Sequence, residues 1–305
     1  MDNCFRLLTL LSISGGCVRT DVEFLRIIST LGIVWFHSGL NVGRDIAYSG
    51  LVVFLIFTSY FAVRSNKEYS ALSRASRFLI PCVLWSILFA SLNLVIGKAI
   101  FPEHFNVFSK ILSTPSIHLW YLPFAFFCVL ALDKIKNYNH KMVAVVAALF
   151  FTILIASAPI WRQWTYISPL GQYMHALPAV FIGITFSLYG QLESTIKRVV
   201  CILILLALFT IIYFNLPGIG ETYTVGVLAS LILLRKDSFL SKNKIIIQLS
   251  KLTFGVYLIH PLFLFVLRHF GISSVMLPMF AFSLSMLSIF IMFKVLPKSI
   301  SQHVA

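Results

Sequence analysis

Ten apolar runs, separated by polar segments, recur along the chain and set its organisation. Each run predicts a helix, because every backbone group inside a bilayer must be paired within its own segment. A span of the hydrocarbon core takes about 20 residues. The predicted helices are 21–42, 48–63, 78–97, 117–132, 142–160, 174–190, 199–216, 223–234, 252–270 and 275–296. The pattern therefore predicts an all-α integral membrane protein with about ten transmembrane helices.

The composition excludes a water-soluble domain. Hydrophobic residues make up 59% of the 305 residues, charged residues only 11%, and mean hydropathy is +0.93. Soluble domains carry about 25% charged residues. Neither a linker nor a repeat divides the chain, so we expect one transmembrane domain over 20–296. Residues 1–19 are predicted as an N-terminal cytoplasmic or interfacial segment, and 297–305 as a cytoplasmic tail.

The positive charge is distributed very unequally between the predicted loops. Of the 24 Lys and Arg residues, eighteen fall on one side of the predicted topology, five on the other, and Arg26 lies within the first helix. Cytoplasmic loops carry such an excess. An even number of spans then places the N- and C-termini in the cytoplasm. This topology accounts for the net charge of +14 without a nucleic-acid partner.

Neither a disulfide framework nor a secretion signal is expected. The cysteines are odd in number and form no CxxC pair, so we interpret them as small apolar residues. The N-terminal segment has a weak basic region, a short apolar run and no small-x-small cleavage site, which argues against a signal peptide.

The first predicted helix carries two residues that are costly in lipid, Arg26 and His37. They are eleven positions apart, about three turns plus 20°, and so share a face with a separation of about 16 Å. Thr20-x-x-Glu23 has the pattern of a capping box, which predicts that this helix begins at Asp21. Two polar groups on one face need a protein cavity or a water-filled cavity to face.

Each of these residues has a structural alternative to a chemical role. Arg26 can pair with Glu23 or snorkel to the interface. His37 is too far from the inner edge to snorkel, but can be a neutral, hydrogen-bonded histidine; otherwise its pKa range suits a general base. A metal centre built from His37, His175 and His260 has no supporting spacing and no intramembrane carboxylate beside it, so no metal is expected.

The spacing Arg-x10-His in DVEFLRIISTLGIVWFH resembles the signature of membrane acyltransferase family 3. These are multi-spanning O-acyltransferases that modify sugars of surface polysaccharides and lipids. Further segments are similar to the family in the same order: GLVVFLIFTSYF (with Ser59 where glycine is usual), Arg74-x-x-Arg77 before Pro81, HLWYLPF and FGVYLIHP. The likeness runs over nearly the whole chain and is to the stand-alone type.

The resemblance implies a donor site as well as a catalytic helix. Arg26 and His37 would be catalytic. Arg74 and Arg77 would bind the phosphates of acyl-coenzyme A through bidentate hydrogen bonds. Without the resemblance, the positive-inside rule alone accounts for two arginines beside a span.

Three further residues are candidates for contact with an acceptor sugar. His118 and Trp120 open the fourth helix, where an aromatic belt is the structural alternative. His260 precedes Pro261 and either bonds to the carbonyls that proline leaves free or lines the site. For His175 the sequence favours no role.

Together these features predict an O-acyltransferase of the bacterial inner membrane. An O-acetyltransferase using acetyl-CoA is the default, with a surface glycan or its lipid-linked precursor as acceptor. The competing class is a transporter or flippase, which an internal hydropathy repeat or matched broken helices would favour; we find neither. A non-catalytic component of a polysaccharide assembly machine is a third reading, in which His37 would be dispensable.

Overall fold

The computed structural model describes residues 19–65, 70–102, 105–163, 168–297 and 301. In this part of the chain the regular structure is helical throughout. The helices are α1 Thr20–His37, α2 Arg44–Arg64, α3 Ala71–Val95, α4 Val107–Ser113, α5 Tyr121–Ile135, α6 His140–Ala156, α7 Ala158–Trp161, α8 Leu170–Tyr189, α9 Ser194–Phe214, α10 Gly220–Ser230, α11 Lys244–Ser250, α12 Thr253–His269 and α13 Met276–Val295. Short 3₁₀ turns at Ile117–Trp120 and Leu231–Leu234 precede α5 and follow α10. Apart from Arg19, Pro297 and Ser301, the predicted N-terminal segment and tail lie outside the described residues.

Helical structure covers every predicted apolar run, although the run 142–160 is divided into α6 and α7, and several helix ends correct the prediction. The first helix stops at His37, not at Val42, because the chain turns through Ser38 to Gly39, which has a φ of 74°. The third begins at Ala71 with Ser70 as its N-cap, accepting a hydrogen bond from the Ser73 amide. Arg74 and Arg77 therefore lie within a helix and not in a loop.

The predicted capping box is wrong. Arg19 occupies the N-cap position of α1 without a side-chain cap. The Thr20 hydroxyl instead accepts from the amide of Asn243, 3.3 Å away. The Glu23 carboxylate accepts from the Ser250 hydroxyl at 2.5 Å. Contacts from more than 200 residues along the chain thus displaced the local hydrogen bonds that the motif predicts.

The described helices include fewer clear membrane spans than the sequence predicts. Five are long and apolar enough by length and composition: α2, α3, α9, α13 and the unit Ile117–Ile135. The α11–α12 pair, bent by 58°, makes a sixth if it is one broken span. The protein is therefore a multi-pass membrane protein by composition and helix length. Ten spans and cytoplasmic termini stay predictions.

Helix α2 is the centre of the bundle, packed against α1, α5, α8 and α10. It crosses α1 at two glycines whose missing side chains allow backbone contact. A Cβ on Gly32 would lie 2.5 Å from the carbonyl oxygen of Ala47, and one on Gly50 would overlap the carbonyl of Ser29. Small residues at helix crossings have this role in membranes.

The crossing of α2 with α8 is equally close. A Cβ on Gly183 would overlap the Ser59 hydroxyl and lie 2.5 Å from the carbonyl oxygen of Ile56. Ser59 is the position where the resemblance described above implies glycine. Its hydroxyl bonds to the α2 carbonyls at 2.9 and 3.1 Å, and α8 supplies the glycine that makes room for it.

Helices α3, α9 and α13 lie at the periphery, with many apolar side chains exposed. Examples are Ile87 at 61%, Phe209 at 67% and Leu287 at 54%. In a membrane protein such surfaces face lipid. Most of the polar groups discussed below lie inside this ring, on α1, α8, α12 and the 3₁₀ turn before α5, while Arg74 and Arg77 lie on α3.

Candidate functional site

Three histidines from distant parts of the chain meet at one end of the bundle. His37 is the last residue of α1, His118 lies in the 3₁₀ turn before α5, and His260 lies in α12. The ring centroids are 5.2 Å apart for His37–His260, 5.4 Å for His118–His260 and 6.4 Å for His37–His118. The sequence named all three residues but could not bring them together.

His260 has one ring nitrogen fixed and the other unused. Pro261 has no N–H, so it leaves the carbonyl of Tyr257 without its helical donor. Nδ1 of His260 donates a hydrogen bond to that carbonyl oxygen at 2.7 Å. This confirms one predicted alternative, a bond to a carbonyl that proline leaves free. In the neutral ring Nε2 is then an acceptor. Nε2 is buried and has no hydrogen-bond partner among the described residues.

His118 is held at both nitrogens. Nδ1 is 2.8 Å from the Ser116 hydroxyl, and Nε2 is 3.2 Å from the carbonyl of Leu258. Since a carbonyl only accepts, Nε2 carries the proton and Nδ1 accepts from Ser116. The Tyr257 hydroxyl also donates to the His118 carbonyl. His118 therefore fastens the start of α5 to α12, and contact with a ligand would use its ring face.

His37 differs from its neighbours because its ring forms no hydrogen bond in the described part of the chain. It is half-buried, makes edge contacts with Phe36 and His118, and is tilted by 42° against His260. Its backbone is held instead: the Arg268 guanidinium donates to the carbonyls of His37 at 3.2 Å and Ser38 at 2.6 Å. The ring is thus positioned while its nitrogens remain available.

Arg26 is buried, with 4% of its surface exposed, so snorkelling to the interface is excluded. Nη1 pairs with the Glu23 carboxylate at 2.7 Å, which confirms the other structural alternative. That pair uses only part of the guanidinium. Nε and Nη2 are buried with no partner among the described residues. These nitrogens can only donate, so they select a ligand that carries acceptor oxygens.

Arg74 and Arg77 have different surroundings although they lie three residues apart on α3. Arg74 is 4% exposed and forms an ion pair with Asp133 of α5. Lys136 bonds to the same carboxylate at 3.1 Å. Arg77 is half-buried, with its guanidinium 5.8 Å from the Phe78 ring.

The first two turns of α8 hold three polar residues; the sequence prediction missed Gln172 and Tyr173 and gave His175 no role. Gln172 Oε1, Tyr173 Oη and His175 Nδ1 are buried and lack a hydrogen-bond partner among the described residues. The predicted sixth helix began at Met174, which placed Gln172 and Tyr173 in a loop. The signal that could have found them is the polar sequence GQYMH at the head of an apolar run.

His175 does not share the ring contacts of the histidine cluster. Its ring packs on Tyr48 at 4.9 Å and Tyr223 at 5.4 Å, and Nε2 bonds to the carbonyl of Gly218 at 2.8 Å. The described residues contain no group of three ligating side chains arranged to hold a metal ion.

Trp120 is a buried aromatic residue that packs against α5 and α8. Its ring centroid is 6.0 Å from that of Tyr173 and 5.8 Å from that of Phe124. The aromatic-belt alternative places such a ring at the membrane surface. At 7% exposure, Trp120 packs inside the protein.

An apolar helical bundle that encloses histidines and an arginine with unused hydrogen-bonding capacity defines a class, a multi-pass membrane protein with an internal polar site. Comparison with known proteins supplies the family. The model of acyltransferase family 3, described as an acyltransferase domain, matches residues 19–295. The chain belongs to this family and is an acyltransferase. Neither the curated proteins nor the solved structures include a match to it.

Proposed function

We propose that the protein is an O-acetyltransferase of the bacterial inner membrane. It transfers the acetyl group of cytoplasmic acetyl-CoA to a hydroxyl of a surface polysaccharide or its lipid-linked precursor. Family membership supplies the reaction class. The observation that carries the rest concerns hydrogen-bonding groups without partners inside one bundle. Arg26 has two unused donors, and the unused acceptor Nε2 of His260 belongs to a ring that packs on His37.

The donor is expected to enter from the arginine-rich end of α3. Arg77 and Arg74 contact the phosphates of acetyl-CoA, with the Asp133 pair fixing the orientation of Arg74. The pantetheine arm runs along α1, where Nε and Nη2 of Arg26 donate to its carbonyl oxygens. His37 lies eleven positions after Arg26 on α1, about 16 Å along the helix axis. One extended ligand therefore contacts both residues at different points.

His37 acts as general base in the transfer step. Its ring nitrogen takes the proton of a sugar hydroxyl as the hydroxyl oxygen attacks the acetyl carbonyl carbon. A C–O bond forms and the C–S bond breaks. The thiolate of coenzyme A leaves and receives the proton from the imidazolium. In a variant of this scheme, the His37 ring nitrogen itself attacks the acetyl carbon and forms an acetyl-histidine. The sugar hydroxyl then takes the acetyl group from His37.

His260, His118 and Trp120 line the acceptor side. Nε2 of His260, fixed as an acceptor by the bond from Nδ1 to Tyr257, lies on a ring 5.2 Å from His37 and can orient the sugar hydroxyl. His118 contributes its ring face and Trp120 an aromatic surface. Aromatic faces pack well against the C–H faces of sugar rings.

Replacing His37 by alanine tests the proposal. Loss of a general base typically costs about 10²- to 10⁴-fold in rate. We expect O-acetylation of the surface glycan, measured by mass spectrometry on cells complemented with His37→Ala, to fall to the level of a deletion strain. His269→Ala is the matched control, because His269 is exposed and is the last residue of α12. Wild-type acetylation at normal protein abundance would overturn the base role.

The same experiment separates the enzyme from a transporter. Only the enzyme adds the mass of an acetyl group to the glycan. A transporter built on broken helices is expected to show a matched pair of them. The described residues contain one bent pair, α11 and α12.

A further inference from the structure

We propose that the first two turns of α8, together with Trp120, form the subsite that holds the sugar ring of the acceptor. Gln172 Oε1, Tyr173 Oη and His175 Nδ1 are the groups that receive its hydroxyls. The inference rests on the proposed function and deepens it, because it assigns a binding role to residues that the catalytic scheme does not use.

The chemistry of the three atoms selects the ligand. The Gln172 amide oxygen is an acceptor. Since Nε2 of His175 donates to the Gly218 carbonyl at 2.8 Å, Nδ1 of the neutral ring is also an acceptor. The Tyr173 hydroxyl can accept as well as donate. Burying such groups without partners costs free energy, so a ligand that supplies O–H donors stabilises the site.

A polyhydroxylated ring satisfies this set best. Phosphate oxygens and the thioester of acetyl-CoA offer only acceptors, and a lipid tail offers neither donors nor acceptors. The pantetheine arm carries N–H and O–H donors but no ring face, and the adenosine stays with the phosphates at the Arg74 and Arg77 end in the proposed scheme. Sugar hydroxyls donate, and the C–H face of a sugar ring packs on aromatic side chains. Trp120 and Tyr173 provide such a surface, with ring centroids 6.0 Å apart and planes inclined by 43°.

Aromatic contacts connect this subsite to the base on two sides. On one side, Phe36 precedes His37 and stacks on Tyr48 at 4.0 Å, and Tyr48 packs on His175 at 4.9 Å. The same α8 segment is therefore joined to the end of α1 through aromatic contacts. Arg26, with its unused donors, lies about three helical turns away on α1.

On the other side, the 3₁₀ turn links the cluster to α8. His118 is 6.4 Å from His37, and Trp120, two residues later, packs on Tyr173. Gln172 lies on the helical arc between His175 and Tyr173, roughly 60° from the first and 100° from the second. Gln172 therefore faces the space between the two connections to His37, one through Tyr48 and Phe36 and the other through Trp120 and His118.

The test uses two near-isosteric variants, Tyr173→Phe and Gln172→Met, in full-length protein reconstituted in lipid nanodiscs. The acceptor probe is surface glycan purified from a strain deleted for the gene, and thiol release from acetyl-CoA reports the rate. We expect each variant to raise the KM for glycan about 5- to 10-fold, as loss of one hydrogen bond does. The KM for acetyl-CoA is expected to stay within about twofold.

Two exposed residues provide matched controls, Tyr213→Phe and Gln191→Met. Both are expected to leave the two KM values unchanged. A thermal melt of each variant checks its folding. Should Gln172→Met fail to fold, Tyr173→Phe decides, because it removes only a hydroxyl.

The possible outcomes separate this inference from the function on which it rests. If wild-type protein transfers no acetyl group from acetyl-CoA to the glycan, the proposed function is wrong and the subsite falls with it. If wild-type transfers and the variants keep the wild-type KM for glycan, only the subsite is wrong. A rise confined to the KM for acetyl-CoA would assign these residues to the donor path and overturn the inference.

Discussion

Arg26 and His37 lie on one helix, and each is held in place by one group while another group stays unused. Arg26 is buried and paired with Glu23, yet two of its nitrogens stay unused. His37 has its backbone held by Arg268 while its ring nitrogens form no hydrogen bond among the described residues. One part of each residue is thus held in place, while another part keeps hydrogen-bonding atoms that a ligand can use. This is the arrangement expected of groups that must meet a ligand without moving.

Arg26→Lys is expected to weaken donor binding while preserving the fold. Lysine can keep the ion pair with Glu23, but it lacks the planar set of donors that an arginine offers. We expect the KM for acetyl-CoA to rise about tenfold, measured by thiol release in nanodiscs. Arg77→Ala is expected to raise the same KM, because it removes a cation from the proposed phosphate site.

Arg235→Lys and Arg198→Ala are the controls for this donor-site prediction, since both arginines are exposed. They are expected to leave the KM for acetyl-CoA unchanged. A wild-type KM in Arg26→Lys and Arg77→Ala would remove both residues from the donor site.

At the scale of elements, α2 holds the bundle together by close backbone contact. Glycines on two of its neighbours, Gly32 of α1 and Gly183 of α8, allow these crossings, and Gly50 of α2 is a second close contact with α1. Apolar attraction between helices is weak in lipid, so packing at such crossings matters more than it does in water. The positions of His37 and Gln172 depend on these crossings, because their helices are fixed to α2.

Gly183→Ala is expected to destabilise the protein. The added methyl would overlap the Ser59 hydroxyl and the backbone of Ile56, and backbone cannot rotate away. Overpacking of this kind costs about 1–3 kcal/mol. The expected readout is a lowered midpoint in a thermal melt of purified protein in detergent.

Gly190→Ala provides the control within the same segment. A Cβ at Gly190 meets no atom within 4 Å, and its φ of −62° suits alanine. We expect its melting midpoint to equal that of the wild type. Equal midpoints for Gly183→Ala and Gly190→Ala would show that the α2–α8 crossing tolerates a side chain.

For the whole molecule, the charge distribution predicts an orientation that labelling can test. Lys242 and Lys98 are both exposed and lie on opposite sides of the predicted topology. In a background without native cysteines, we expect Lys242→Cys to react with a membrane-impermeant maleimide only after the cells are opened. Lys98→Cys is expected to react in intact cells. The reverse pattern would place the arginine-rich end outside and separate it from a cytoplasmic donor.

Much of the fold could be predicted because its determinants are local. Each apolar run became a helix, since a polar backbone in an apolar setting must bond within its own segment. The predicted helix ends were less accurate where a single residue sets the end, as Gly39 does after α1 and Ser70 does before α3. The capping box failed because Asn243 and Ser250, far along the chain, took its polar groups.

The sequence by itself determined the helical membrane bundle, the uneven distribution of charge, and the placement of Arg26 and His37 on the same helix. These follow from runs and spacings within a single segment. Only the tertiary structure decided that His118 and His260 meet His37, that Arg74 pairs with Asp133, and that Gln172 and Tyr173 face inward. These contacts join residues on different helices, and helical periodicity carries no information about which helices become neighbours.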